Sequence, residues 1–233
     1  QHGMKPFDKK YDGLKLLANY NLVSVWLATL DSDISSIPDL KRKKVALGRA
    51  TQISWAVEPE MILRLGWGLA KEINLQYVGT KPAVSALTDG LVDAAVIGGY
   101  FDPINNKISL SPQTVELMAS GRKIHHISWG TEEVRTTAKQ GIPIAAVTIP
   151  ANSFKGQNAP ISSFTDSVAW CASAEFSEKL AYEITKLIID NCEKFAEYHN
   201  LGKLMSPKAL PFGWSEDRIH PGALKAYREA GIL

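Results

Sequence analysis

The sequence carries only two cysteines, no long apolar run and almost no surplus of charge. Two thiols, Cys171 and Cys192, cannot staple a disulfide scaffold; they can pair with each other or stay free, and their spacing leaves both open. Uninterrupted apolar stretches stay below about ten residues, against the roughly 18 a membrane helix needs. Lysine plus arginine (26) nearly cancel aspartate plus glutamate (24), a net of +2. No concentrated basic face stands behind that value, so nucleic acid is not an expected partner. Reaction motifs are missing as well. There is no G-x-S-x-G elbow, no phosphate loop ending in Gly-Lys-Ser/Thr, no H-E-x-x-H and no C-x-x-C. Gly66-Trp67-Gly68 falls inside an expected helix, not at a strand–helix turn. His125 and His126 are neighbours in an expected strand and point to opposite faces, which does not suit one metal ion. No catalytic set, metal site or cofactor site is expected.

What is present suits a compact mixed protein. At 233 residues, 45% hydrophobic and 21% charged, the chain can fill one large domain or two smaller lobes. Short β-rich runs alternate with helical stretches, the pattern of βαβ units. Strands are expected at 22–30, 44–47, 75–78, 94–97, 123–128, 144–149 and 167–173. Helices are expected at 59–71, 82–87, 112–119, 131–139, 175–198 and 221–230. The five strands between residues 40 and 150 suggest a parallel sheet covered on both faces. In the longest helix, Phe176, Leu180, Ile184, Leu187, Ile188 and Phe195 mark one apolar stripe at spacings of three and four. Residues 151–163 are polar, with Gly and Pro, and read as a crossing loop.

Two segments follow strand carboxyl ends, where open α/β sheets bind ligands. In the first, 48–54, Arg49, Thr51, Gln52 and Ser54 can join the unpaired N–H groups of a helix start to hold an anion, or simply cap the helix. In the second, Gly98 and Gly99 would let backbone approach a ligand. Tyr100 offers a flat face with a hydroxyl, and Asp102 could accept an amine. A tight turn covering the core is the plainer alternative.

Several motifs resemble one known family. Asp31–Gly48 is similar to a segment in which an Asp-Leu-Lys-Gly-Lys-like run precedes a strand, with Arg42 in place of the usual glycine. Residues 86–94 (ALTDGLVDA) look like A-L-x-D-G-x-I-D-A, and 149–154 (IPANSF) resemble an I-P-A-G-x-Y turn. His220-Pro221-Gly222-Ala223 with Tyr227, Glu229 and Gly231 resembles the most specific signature, H-P-G-A…Y-x-E-x-G. Together these resemble the TAXI solute-binding proteins of TRAP-type transporters.

The resemblance implies an α/β fold of the periplasmic-binding-protein type II, with parallel or mixed sheets flanked by helices. It implies two lobes, the first incomplete: residues 1–39 as a remnant of the first lobe and hinge, 40–160 as the second lobe, and 161–233 as the return. It implies an extracytoplasmic or periplasmic receptor without catalysis, binding a small organic anion such as a dicarboxylate or a glutamate-like amino acid. Its partner would be the membrane subunits of a TRAP permease. The family's Gly-Ser-Gly-Thr-like ligand loop is represented here by Arg49–Ser54. A rival expectation is a shortened homologue acting as an interaction or sensing module, with self-association through an exposed half-cleft. No signal-peptide pattern is read in the residues shown, and Gln1-His2-Gly3 reads as a cloning remnant ahead of Met4.

Overall fold

The computed structural model describes residues 13–233. The reading of Gln1–Met4 and the start of the expected 1–39 segment lie outside the described residues. The chain divides into two compact units. One is continuous, Val23–Asp166. The other joins the residues up to Leu22 with Ser167–Leu233.

Sheet order in the continuous unit is β3-β2-β4-β1-β8-β7. Its elements in chain order are β1 (Leu14–Thr29), β2 (Lys44–Leu47), α1 (Glu58–Met61), β3 (Asn74–Tyr77), α2 (Thr80–Thr88) and β4 (Ala94–Asp102). They continue as β5 (Lys107–Leu110), α3 (Pro112–Ala119), β6 (His125–Ile127), α4 (Thr131–Lys139), β7 (Ala145–Ile149) and β8 (Ile161–Ser173). The fold is mixed α/β, and so is the sheet. β2 runs parallel to β3 and β4, while β1 is antiparallel to β4 and β6, β4 to β5, and β7 to β8. The five-strand parallel sheet is thereby corrected. A four-residue turn folds β4 back on β5, and β1 enters the sheet against β4, so the helical crossovers that enforce parallel pairing are lacking at both places.

From Leu16 to Thr29, β1 is almost continuously buried, as expected of a strand covered on both faces. Its own Trp26, and Phe101, Trp129 and Phe164 from other segments, are each at most 1% exposed. Side-chain donors reach its backbone: at Val25, Trp129 Nε1 and Ser163 Oγ both donate to the carbonyl at 2.7 Å. Buried side-chain donors are thereby satisfied inside the core.

The helix expected at 59–71 starts earlier and ends sooner. Wide π-type turns at Ile53–Val57 and Ile62–Gly66 flank α1, and Gly68, at φ +70°, lies beyond its end. α3 and α4 match their expected bounds.

In the discontinuous unit, the first part of β1 meets α5 (Glu178–Asp190), α6 (Phe195–Tyr198) and α7 (Pro221–Glu229). Its core joins Leu16, Leu17, Ala18, Ala181, Cys192, Met205, Leu210, Ile219, Ala223 and Tyr227. Here the H-P-G-A…Y-x-E-x-G signature acquires a physical account. His220 caps α7, its Nδ1 accepting from Gly222 N–H at 3.3 Å, and Pro221 fills the first turn, where its missing N–H costs nothing. A Cβ on Gly222 would run into the Glu178 backbone of α5. Tyr227 is fully buried and donates to the Leu17 carbonyl at 2.6 Å, and Glu229 accepts from Tyr182 at 2.6 Å.

That close α5–α7 crossing also corrects half of the apolar stripe: Phe176, Ile188 and Phe195 do pack against the core, but its middle does not. The long helix breaks at Asn191, and α5 buries Ala181 and Thr185. Leu180 (47%), Ile184 (37%) and Leu187 (65%) stay exposed. Small side chains let two helix backbones approach, so they, and not the leucines, take the inner face. Cys171 is exposed and Cys192 buried, and no disulfide joins them.

Two left-handed residues stand where the resembling family has glycine. Arg42 has φ +63° and Asn152 φ +64°. Both turns are kept, with side chains on backbone conformations that favour glycine.

Candidate functional site

The loop after β2 is held by its own polar groups. Gly48 N–H donates to the Trp55 carbonyl at 2.9 Å, and Arg49 N–H to Gln52 Oε1 at 2.7 Å. Gln52 therefore closes the turn with its side chain. Arg49 and Thr51 are exposed at its tip. The helical segment then opens with a widened turn, in which Val57 N–H reaches back to the Gln52 carbonyl at 3.1 Å. Such π-turns recur at functional sites.

Ser54 and Glu58, four residues apart, are neighbours on this segment. Ser54 Oγ donates to Asp166 Oδ2 on β8 at 2.8 Å. Ser54 and Asp166 are half-buried, whereas Glu58 is 2% exposed. Neither Glu58 carboxyl oxygen has a hydrogen-bond partner. Burial first, and then the charge of Asp166, push its carboxyl well above the usual carboxylate range. The inner end of the loop is thus acidic, and its tip carries Arg49.

The second expected segment is not a loop. Gly98 and Gly99 are buried within β4. A Cβ on either would strike neighbouring backbone, at Ser24 for Gly98 and at Ser109 for Gly99. Their lack of a side chain serves strand packing, which leaves no opening for a ligand. Asp102 is 2% exposed and caps the β4–β5 turn, accepting from Ile104 N–H at 2.9 Å and Asn105 Nδ2 at 2.7 Å. Its carboxylate is engaged by the turn and is not held out to an amine. The plainer alternative, a tight turn over this segment, is not found either: β4 runs through Asp102 and the turn begins only at Pro103.

Tyr100 is half-buried in β4 directly opposite Val23 of β1, and the Val23 carbonyl accepts from Thr165 Oγ1 at 3.1 Å. Tyr100 and Asp166 therefore lie at one level of the sheet, separated by β1. Sequence reasoning missed Glu58 and Asp166. Glu58 sits in an ordinary-looking helix start, and Asp166 gains meaning only through a partner 112 residues away. Among the described residues no group of three or more His, Cys, Asp or Glu could hold a metal ion, and no helix is long and apolar enough to cross a membrane.

A mixed sheet flanked by helices, with Arg49, Thr51, Ser54 and Glu58 gathered on the segment that follows β2, defines a mixed α/β protein. The match to the NMT1-like family spans residues 1–231, and the chain belongs to that family. It is also similar to several solved structures. One is a Xanthomonas citri protein bound to ATP (11% identity, 95% of this chain and 74% of that one, TM-score 0.49). A second is an amino-acid ABC transporter substrate-binding protein from Streptococcus pneumoniae bound to L-arginine (17% identity, 93% and 65%, TM-score 0.40). A third is Tv2483 bound to L-arginine (12% identity, 82% and 58%, TM-score 0.44). The chain spans less than two thirds of the length of the two arginine-bound structures.

Proposed function

We propose that the chain is a non-catalytic solute receptor of the periplasmic-binding-protein type II. In this reading it works outside the cytoplasm and takes up a small organic acid, a dicarboxylate or a glutamate-like amino acid. It then delivers the solute to the membrane subunits of a TRAP-type transporter, in the manner of the TAXI proteins it resembles. The observation that carries the reading is the loop after β2. Arg49 and Thr51 stand exposed at its tip, and a helical segment begins directly behind them with Ser54 turned toward Asp166. A cationic side chain, a hydroxyl and the unpaired N–H groups of a helix start suit a carboxylate. Tyr100, at the same level of the sheet, supplies a face for the body of the solute. Membership of the NMT1-like family and the motif resemblance support the assignment to a receptor.

Calorimetry with succinate, malate, glutarate, L-glutamate and L-arginine tests the proposal. One of these acids should bind, and the double change Thr51→Ala, Ser54→Ala should weaken it at least about 10-fold, as expected for two lost polar contacts. Full affinity in the double variant would put the site elsewhere.

A second reading has one observation in its favour. The exposed stripe Leu180–Ile184–Leu187 on α5 suits an interaction or sensing module. Light scattering of the wild type and of Leu187→Glu distinguishes it: self-association lost in the variant supports that reading, and a monomer in both removes it.

A further inference from the structure

We propose that Ser54, Glu58 and Asp166 form the receiving point for a primary ammonium group on the bound solute. This rests on the receptor reading above and narrows its ligand to an acid that also carries an amine. Three oxygen-bearing side chains are brought to this place by three elements. Asp166 comes from β8, Ser54 from the widened turn and Glu58 from the start of α1 directly after it, with Ser54 Oγ and Asp166 Oδ2 2.8 Å apart. Ser54 and Asp166 remain partly open to solvent, and Glu58, one helical turn beyond Ser54, is only 2% exposed, with both oxygens unpartnered.

A buried acceptor without a donor is costly, and native proteins rarely keep one without a use. The missing donor has to be cationic or strongly polar, because a second carboxylate already stands beside it. A Ca²⁺-like ion asks for six to eight oxygens, more than these three side chains offer. An ammonium group brings three N–H donors on a compact positive charge, one for each side chain. Arg49, at the loop tip, would then face the other end of the same molecule and take its carboxylate. The acidic inner end and the basic tip divide one loop between the two charges of an amino acid. Asp102 plays no part in this arrangement, since the β4–β5 turn occupies its carboxylate.

Matched pairs of acids with and without the amine provide the test: L-glutamate against glutarate, and L-aspartate against succinate. Each is titrated calorimetrically into the wild type, Glu58→Gln, Asp166→Asn and Ser54→Ala. The amine-bearing member of a pair should bind at least about 10-fold tighter to the wild type. That preference should fall toward unity in Glu58→Gln and Asp166→Asn, and by about 5-fold in Ser54→Ala, which keeps both carboxyl groups. Circular dichroism melts confirm that each variant is folded, and Ser54→Ala carries the test should either carboxylate variant fail to fold. Equal binding of both members of a pair to the wild type overturns the ammonium site and leaves the receptor standing. So does an amine preference that survives all three changes. No binding of any acid overturns the receptor reading and the inference together.

Discussion

Trp26 Nε1 donates to His126 Nδ1 across 3.0 Å, so that nitrogen has to stay unprotonated for the bond to exist. Phe154 closes over the pair, its ring stacked on Trp26 at 5.7 Å and set edge-on to His126 at 5.4 Å. Burial, and to a lesser degree the neighbouring His125, pull the His126 pKa from 6.5 down to about 4. The folded protein therefore resists a proton that the unfolded chain accepts. Stability from this ring is fully present above pH 6.5 and is lost as pH falls through the unfolded value toward 4. The full span of about 2.5 units corresponds to about 3 kcal/mol below pH 4, and about 2 kcal/mol of it is already lost at pH 5. Urea unfolding of the wild type and of His126→Gln at pH 7.5 and pH 5.0 measures it. Glutamine can offer its own oxygen to Trp26 and does not titrate, so every other group cancels in the comparison. The wild type should lose about 2 kcal/mol more than the variant on acidification. An equal loss in both proteins would refute the reasoning, as would an NMR titration placing His126 near 6.5.

Three single residues give further outcomes. Arg42, with φ +63°, occupies a left-handed conformation that disfavours any side chain with a Cβ. Arg42→Gly should raise stability by about 1 kcal/mol, the relief of strain exceeding the extra freedom given to the unfolded chain. Asn152→Gly should gain less, because asparagine tolerates that region, and thermal melts of the two variants rank them. Glu58 has the opposite sign to His126. Its carboxyl holds a proton more firmly in the folded state, so its contribution is fullest below 4.5 and declines as pH rises through that value toward its raised folded pKa. Glu58→Gln should unfold at a higher temperature than the wild type at pH 8 and lose the difference at pH 4; equal melting at pH 8 would show that Glu58 is relieved in some other way.

How much of this was legible depended on the distance between partners. α3 begins at Pro112 and α4 ends at a Gln-Gly pair, signals carried within the segment itself, and both helices keep their expected bounds. β1 was expected only from residue 22, because Asn19-Tyr20-Asn21 interrupts the apolar run before it. The structure satisfies Asn19 from far along the chain, through the carbonyls of Ala209 and Phe212 and the indole N–H of Trp214. Local sequence carries no trace of those partners. Gly98 and Gly99 read as a loop for the same reason, since what demands glycine there is the backbone of β1 and β5 pressing from either side. On the long helix the periodicity was correct and the ends of the stripe, Phe176, Ile188 and Phe195, reach the core, but its middle does not. Leucines made the more hydrophobic stripe, yet the close approach of α7 selected Ala181. Of the candidate site, the loop 48–54 was visible as a strand–helix junction, while its acidic wall depended on a residue from β8.

The division of the chain sets an order of assembly. Val23–Asp166 is an unbroken insertion, and the other unit needs both its opening segment and Ser167–Leu233. During synthesis from the amino terminus, the inserted part leaves the ribosome whole before its host can be completed. Until then Leu16, Leu17 and Ala18 have no Tyr227, Leu210 or Met205 to cover them. The last 67 residues thus do more than add a terminal helix pair: their arrival turns an exposed apolar strand segment into the floor of a closed core.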